Sequence, residues 1–176
     1  MGELLPLLIQ GAWVTLQVTI FGSLLAIVAA ILAALGRMSP WRPLRWFSIA
    51  YIEVFRGTSL LVQLFWLFFV LPLPPFNLEL SPYSVAIVGL GLHIGAYGAE
   101  VMRGAISSVA KGQYEASTAL NFSGYKRFRR IILPQALLAA IPPGTNLLIE
   151  LLKNTSLVSL ITLSDLSFRA RQLDQA

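Results

Sequence analysis

Three acid–base pairs carry most of the chemistry available to this 176-residue chain. Glu53 and Arg56, Glu100 and Arg103, and Glu150 and Lys153 each place an acid three residues before a base. At that spacing both side chains share one face of a helix. All three pairs lie in or beside long apolar runs. Charges at membrane depth are costly and normally face an interior or a cavity. Each pair can therefore neutralise itself and anchor a helix end, or line a route for a zwitterionic solute. The anchoring reading is the stronger for Glu53/Arg56 and Glu100/Arg103, which fall near the inner face. Glu150 and Lys153 lie deeper, next to Pro142 and Pro143. Together with Tyr97, an aromatic hydrogen-bonding group, they are the candidate solute pathway.

Enzymatic chemistry has little to work with. There is one histidine, His93, and no cysteine. No metal-ligand cluster and no nucleophile–histidine–acid set can be assembled. The phosphate-binding pattern G-x-x-x-x-G-K-[ST] is absent, so the chain is not expected to bind ATP itself. His93 reads as a satisfied helix-packing residue rather than a proton relay. The chain is not read as an enzyme, and no cofactor is expected in it.

The longest polar stretch is Gly112–Ala136, GQYEASTALNFSGYKRFRRIILPQA. Lys111, Lys126, Arg127, Arg129 and Arg130 stand there against one acid, Glu115. Ala116, Ala119 and Leu120 recur at helical spacing and predict a helix over 113–120 with a small apolar face. Asn121 tolerates the left-handed conformation that ends helices. Ser123 can cap a second helix, on which Tyr125, Phe128 and Ile132 share a face. The segment reads as a helix–turn–helix elbow over 111–130, lying in water between two membrane spans. A solvated basic loop that only sets topology is the other reading.

The elements around it follow from composition. The chain is 56% hydrophobic and only 12% charged, against about 25% charged for a soluble domain. Its mean hydropathy is +0.73. These values point to an integral membrane protein. The net charge of +5 does not indicate nucleic acid, because the basic residues gather at span ends on one side, as cytoplasmic loops do. A helix needs about 20 residues to cross a bilayer. Spans are predicted at about 12–35, 46–71, 83–109 and 131–152. Leu4–Gln10 reads as an interfacial piece, with a break suggested by Pro6 and Gly11. Arg37, Arg42 and Arg45 with Pro40 and Pro43 mark a cytoplasmic loop, which puts the N-terminus and Glu3 outside. Leu71–Pro82 reads as an external loop. Pro142-Pro143-Gly144 predicts either a broken span or a packing kink. Leu157–Leu163 reads as re-entrant or external, and Asp165, Arg169, Arg171 and Asp174 as a polar external tail.

Several of these segments resemble a known family. Glu115-Ala116-Ser117, then Asn121, then Ile131-x-Leu133-Pro134 is similar to the EAA loop of ATP-binding-cassette (ABC) importer permeases. Ser117 stands for the second Ala of that pattern and Asn121 for its Gly. Tyr51-x-Glu53-x-x-Arg56-Gly57-Thr58 with Leu60-Leu61-Val62-Gln63 resembles a segment of the polar-amino-acid permeases, with Ser59 in place of a Pro. Ala96-Tyr97-x-Ala99-Glu100-x-x-Arg103-Gly104 and Leu152-Lys153-x-Thr155-Ser156-Leu157 resemble two more. A few side chains at 55–59 and 119–121 are similar to the ectoine/hydroxyectoine branch.

The resemblance implies an all-α integral membrane protein: a single transmembrane permease domain over 1–176, of the type I ABC importer kind. The family usually has five spans; four are read here, and the fifth is missing. It implies a cell inner membrane location. It implies a cytoplasmic ABC ATPase that binds ATP and Mg, a second or sister permease copy, and a periplasmic or extracellular solute-binding protein. Glu115, Ala116, Ser117, Leu120, Asn121, Tyr125 and Phe128 would couple to the ATPase. Two other classes remain open on the residues alone: an ATP-independent transporter or channel subunit, and a non-transporting membrane anchor.

Overall fold

The structure is a computed structural model that describes the backbone of residues 4–174 and the side chains of residues 11–158. Glu3 lies outside the described residues, as do the side chains of Asp165, Arg169, Arg171 and Asp174.

Apolar runs become helices because a helix satisfies its own backbone groups where no water is available. The first, α1, spans Leu4–Met38. The expected break at Pro6 and Gly11 does not occur. Pro6 falls in the first turn, where its missing N–H would have had no partner. One interior glycine costs only about 1 kcal/mol. Arg42–Gly57 forms α2, with Pro43 in its first turn. Leu60–Phe65 forms α3, which continues as a π-helical turn over Trp66–Val70. The central helix, α4, covers Pro82–Ser107. Ser81 caps it by accepting from the Ser84 amide at 3.2 Å, and Pro82 occupies its first position.

Two short helices make the elbow, α5 over Lys111–Ala119 and α6 over Gly124–Arg127. A π-helical turn at Phe128–Ile132 leads into α7, Leu133–Asp174. This last helix runs through Pro142 and Pro143, so the chain is not broken there. It also continues through 157–163. No strand occurs among the described residues.

Three helical stretches are long and apolar enough to cross a membrane: Gly11–Met38, Pro82–Ser107 and Gly124–Val158. The predicted span at 46–71 is not straight. Arg42–Gly57 and Leu60–Val70 meet at 108° and make a fourth crossing if taken as one span. Thr58 and Ser59 are extended at the bend, with ψ of 152° and 141°. Gly57 ends one helix and Ser59 precedes the next, a stop–start pattern legible in hindsight.

The core lies around α4, which packs on α1, α2, α3 and α7. Val85, Ala86, Leu90 and Ile94 meet Val18, Ala26, Leu64 and Leu151 in one buried cluster. Hydrophobic burial cannot draw helices together in lipid, so small residues and close packing do it. Gly91, Gly95 and Ala99 recur every fourth residue on α4, opposite Leu25, Ala26, Ala29 and Ala33 of α1. Trp13, Leu16, Ile20, Leu24 and Leu32 are exposed around α1. That is the pattern of a helix solvated by acyl chains.

Candidate coupling elbow and solute pathway

The elbow is closed by local hydrogen bonds. Asn121 has φ 55°, in the left-handed region. Its amide donates to Thr118 O at 3.0 Å, and the Phe122 amide donates to Ser117 O at 3.0 Å. These two bonds form a Schellman cap, in which a left-handed residue lets the chain fold back on its own helix end. Ser123 Oγ accepts from the Lys126 amide and starts α6. An Asn serves in the left-handed place of the Gly at modest cost.

Side chains then fasten the elbow to both neighbouring spans. Ala105, in the last turn of α4, and Val109, just beyond it, form a buried cluster with Ile132 and Ala136, and Tyr114 and Phe128 pack against it. Arg127 Nη1 donates to Thr118 Oγ1 at 3.0 Å across the turn. Gln135 Nε2 approaches Gln113 Oε1 at 3.4 Å, which ties α5 to α7. A force on α5 must therefore reach α4 and α7 together.

The seven elbow residues divide by exposure. Glu115, Ala116, Leu120, Asn121 and Tyr125 are exposed, Leu120 at 67% and Tyr125 at 72%. An apolar side chain that exposed on a short polar helix is available to a partner. Ser117 is fully buried, and its hydroxyl donates to Tyr114 O at 2.7 Å. Phe128 is half-buried against the C-terminal end of α4 and the start of α7. Ser117 therefore presents no free surface and Phe128 only part of its ring, because helical spacing defines faces but not which face turns outward. Glu115 makes no ion pair among the described residues.

Of the three acid–base pairs, only Glu100/Arg103 closes among the described residues, at 2.9 Å. Arg37, at the end of α1, also binds Glu100 directly. Sequence reasoning missed Arg37 because it lies 63 residues away. Its only signal was its place at the end of a span. Glu100 thus holds two guanidinium groups and joins α1 to α4. Glu100→Ala would leave two cations facing each other. It is expected to lower stability by about 2 kcal/mol, below the cost of breaking a fully buried pair because all three side chains are partly exposed. Thermal unfolding in detergent checks this, and an unchanged midpoint would count against the tie.

Glu53 and Arg56 do not pair. Arg56 instead lies over the Tyr97 ring, 5.5 Å from its centroid. Tyr97 sits about one turn of α4 from Glu100. Glu150 and Lys153 are exposed and form no ion pair. Between them Leu151 is buried beside Gly22 and Leu90. Leu90 is two turns from Tyr97 along α4.

Apolar helices around α4, joined on one side by a capped and exposed basic elbow, define the transmembrane domain of a type I ABC importer. The model for binding-protein-dependent transport system inner membrane components matches residues 22–175, and the chain belongs to that family. A probable amino-acid ABC transporter permease protein of Sinorhizobium fredii is 51% identical over 93% of this chain and 71% of its own length. The L-cystine transport system permease protein of Bacillus subtilis is 41% identical, over 96% of this chain and 71% of its own. Among solved structures, an amino acid ABC transporter with histidines aligns at TM-score 0.86 and 32% identity, over all of this chain and 81% of that one.

Proposed function

We propose that this chain is the pathway-forming subunit of an ATP-driven importer for a polar amino acid or a related zwitterionic solute. Two permease copies, identical or sister, would enclose the route in a cell inner membrane. A cytoplasmic ABC ATPase would hold each elbow, and a soluble binding protein would deliver the solute from outside. The N-terminus would then face outward. The observation that carries this is the elbow. It is rigid, exposed at Leu120 and Tyr125, and fastened to α4 and α7 at once. Ectoine or hydroxyectoine is a narrower form of the same reading, supported by the few side chains at 55–59 and 119–121.

The test is uptake into proteoliposomes holding the permease, its ATPase and its binding protein. Uptake should require ATP. Equal uptake without ATP would turn the reading to a secondary transporter. Competition between amino acids and ectoine separates the two solute classes.

Glu150 is the proposed solute contact. It is an exposed acid at membrane depth without an ion-pair partner among the described residues, and such a charge needs a polar route or a ligand. Lys153 and Tyr97 would serve the same route. Glu150→Gln is expected to raise the transport constant about tenfold, the scale of one charged hydrogen bond. An unchanged constant and selectivity would remove Glu150 from the pathway.

A further inference from the structure

The 108° bend between α2 and α3 leaves non-helical backbone whose free carbonyls must find donors. Two side chains meet them. Thr58 Oγ1 donates to Val54 O at 2.8 Å. Gln63 Nε2 donates to Phe55 O at 2.9 Å and to Thr58 Oγ1 at 2.7 Å, and it lies 3.3 Å from Thr58 O. Capping the break needs only the nitrogen of the Gln63 amide. Its oxygen is spare, and it goes to another helix. His93 Nδ1 of α4 lies 3.0 Å from Gln63 Oε1. Since the amide nitrogen is already committed to donating, His93 Nδ1 carries the hydrogen.

His93 is only 6% exposed, so its ring is held in place. It packs on the Tyr97 ring at 5.2 Å between centroids, and Tyr97 in turn lies under Arg56 at the end of α2. The Tyr97 hydroxyl also approaches Arg56 O at 3.5 Å. The contacts close a ring around the bend. Arg56 approaches α4 from one side of the break and Gln63 from the other, and both meet it within four residues of α4.

We propose that Gln63 and His93 are positioning residues. Their hydrogen bond fixes the bend between α2 and α3 to α4, so that movement of α4 at its elbow end carries α3 with it. The inference rests on the permease reading for its consequence in transport, but not for its geometry. A bond used only to cap the break would not need His93. A histidine used only to fill space would not need Gln63.

Distances across the bend test this directly. The chain has no cysteine, so Phe47→Cys and Phe69→Cys place two spin labels at exposed sites on the two arms, 74% and 44% exposed. The complete permease is measured in lipid nanodiscs. His93→Phe keeps a ring and removes the donor. His93→Asn returns a donor nitrogen near the Nδ1 position, and Gln63→Leu removes the acceptor from the other side. In His93→Phe and Gln63→Leu the fraction of molecules at other bend distances should rise about fivefold, the change expected from one hydrogen bond of ordinary net strength. His93→Asn should restore the parent distribution, and ATP-driven uptake should fall and recover with it. A parent-like distribution in either folded variant, His93→Phe or Gln63→Leu, overturns the proposal. The distances need no transport. Absent ATP-driven uptake by the parent protein would sink the permease reading alone, while unchanged distances would sink the joint alone.

Discussion

Glu115→Lys is expected to abolish ATP-driven uptake while leaving the permease folded and inserted. Glu115 is exposed on α5 and makes no ion pair among the described residues. It is the one acid in a segment carrying Lys111, Lys126, Arg127, Arg129 and Arg130. Losing it costs the fold little, because surface charges away from partners contribute little to stability. Its reversal would fall instead on the proposed ATPase interface. Like charges brought together at an interface cost several kcal/mol, so uptake should drop on the order of a hundredfold or more. Uptake and ATP hydrolysis are measured together in proteoliposomes. Hydrolysis that no longer responds to solute, with transport lost, is the expected pattern. Normal uptake would remove Glu115 from the coupling surface. Leu120→Asp should act in the same direction, since Leu120, the residue that ends α5, is a large apolar side chain 67% exposed.

Gly95→Leu should have the opposite profile, a loss of fold rather than of coupling. A Cβ at Gly95 would stand 2.7 Å from the Ala29 Cβ and 3.1 Å from both Ala26 O and the Tyr51 hydroxyl. Rotating a side chain cannot relieve contacts with a backbone oxygen and a Cβ. Helices α1 and α4 would have to separate, and the 2.5 Å bond from Tyr51 to Leu92 O would be disturbed with them. Overpacking of a tight core costs about 1–3 kcal/mol and sometimes more. A leucine at this crossing should reach or exceed the upper value, with folded protein largely lost in size-exclusion chromatography. Gly104→Ala is the control, since a Cβ there meets nothing within 4 Å. Equal behaviour of the two variants would mean that close helix approach at Gly95 does not hold the bundle together.

The elbow was the most legible part of the chain. Its turn rests on Asn121, Ser123 and the spacing to Pro134, all local, and local signals survive in a sequence. The long helices were legible because twenty apolar residues in a row have few other fates. The 108° bend was not. A run of apolar residues predicts a span, but Gly57, Thr58 and Ser59 break it only because Gln63 and Thr58 supply donors to the freed carbonyls. The Arg37–Glu100 contact was equally invisible, because an i,i+3 pairing rule sees Arg103 and not a residue on another helix. Pro142 and Pro143 suggested a broken helix and gave a continuous one, where the sequence had left a packing kink as the other outcome. Among the elbow residues, the buried position of Ser117 and the half-buried position of Phe128 were not legible. Phe128 packs against Ala105, Val109 and Ala136, and Ser117 turns its hydroxyl to Tyr114 O, contacts that spacing alone does not reveal.

The central claim is that the elbow faces the cytoplasm and is gripped there by a separate motor. A single Tyr125→Cys in this cysteine-free chain, probed with a membrane-impermeant maleimide, tests it most directly. Labelling should occur in inside-out vesicles, be absent in right-side-out vesicles, and be blocked when the ATPase is bound. Labelling from the outside, or none in either orientation, would contradict the account.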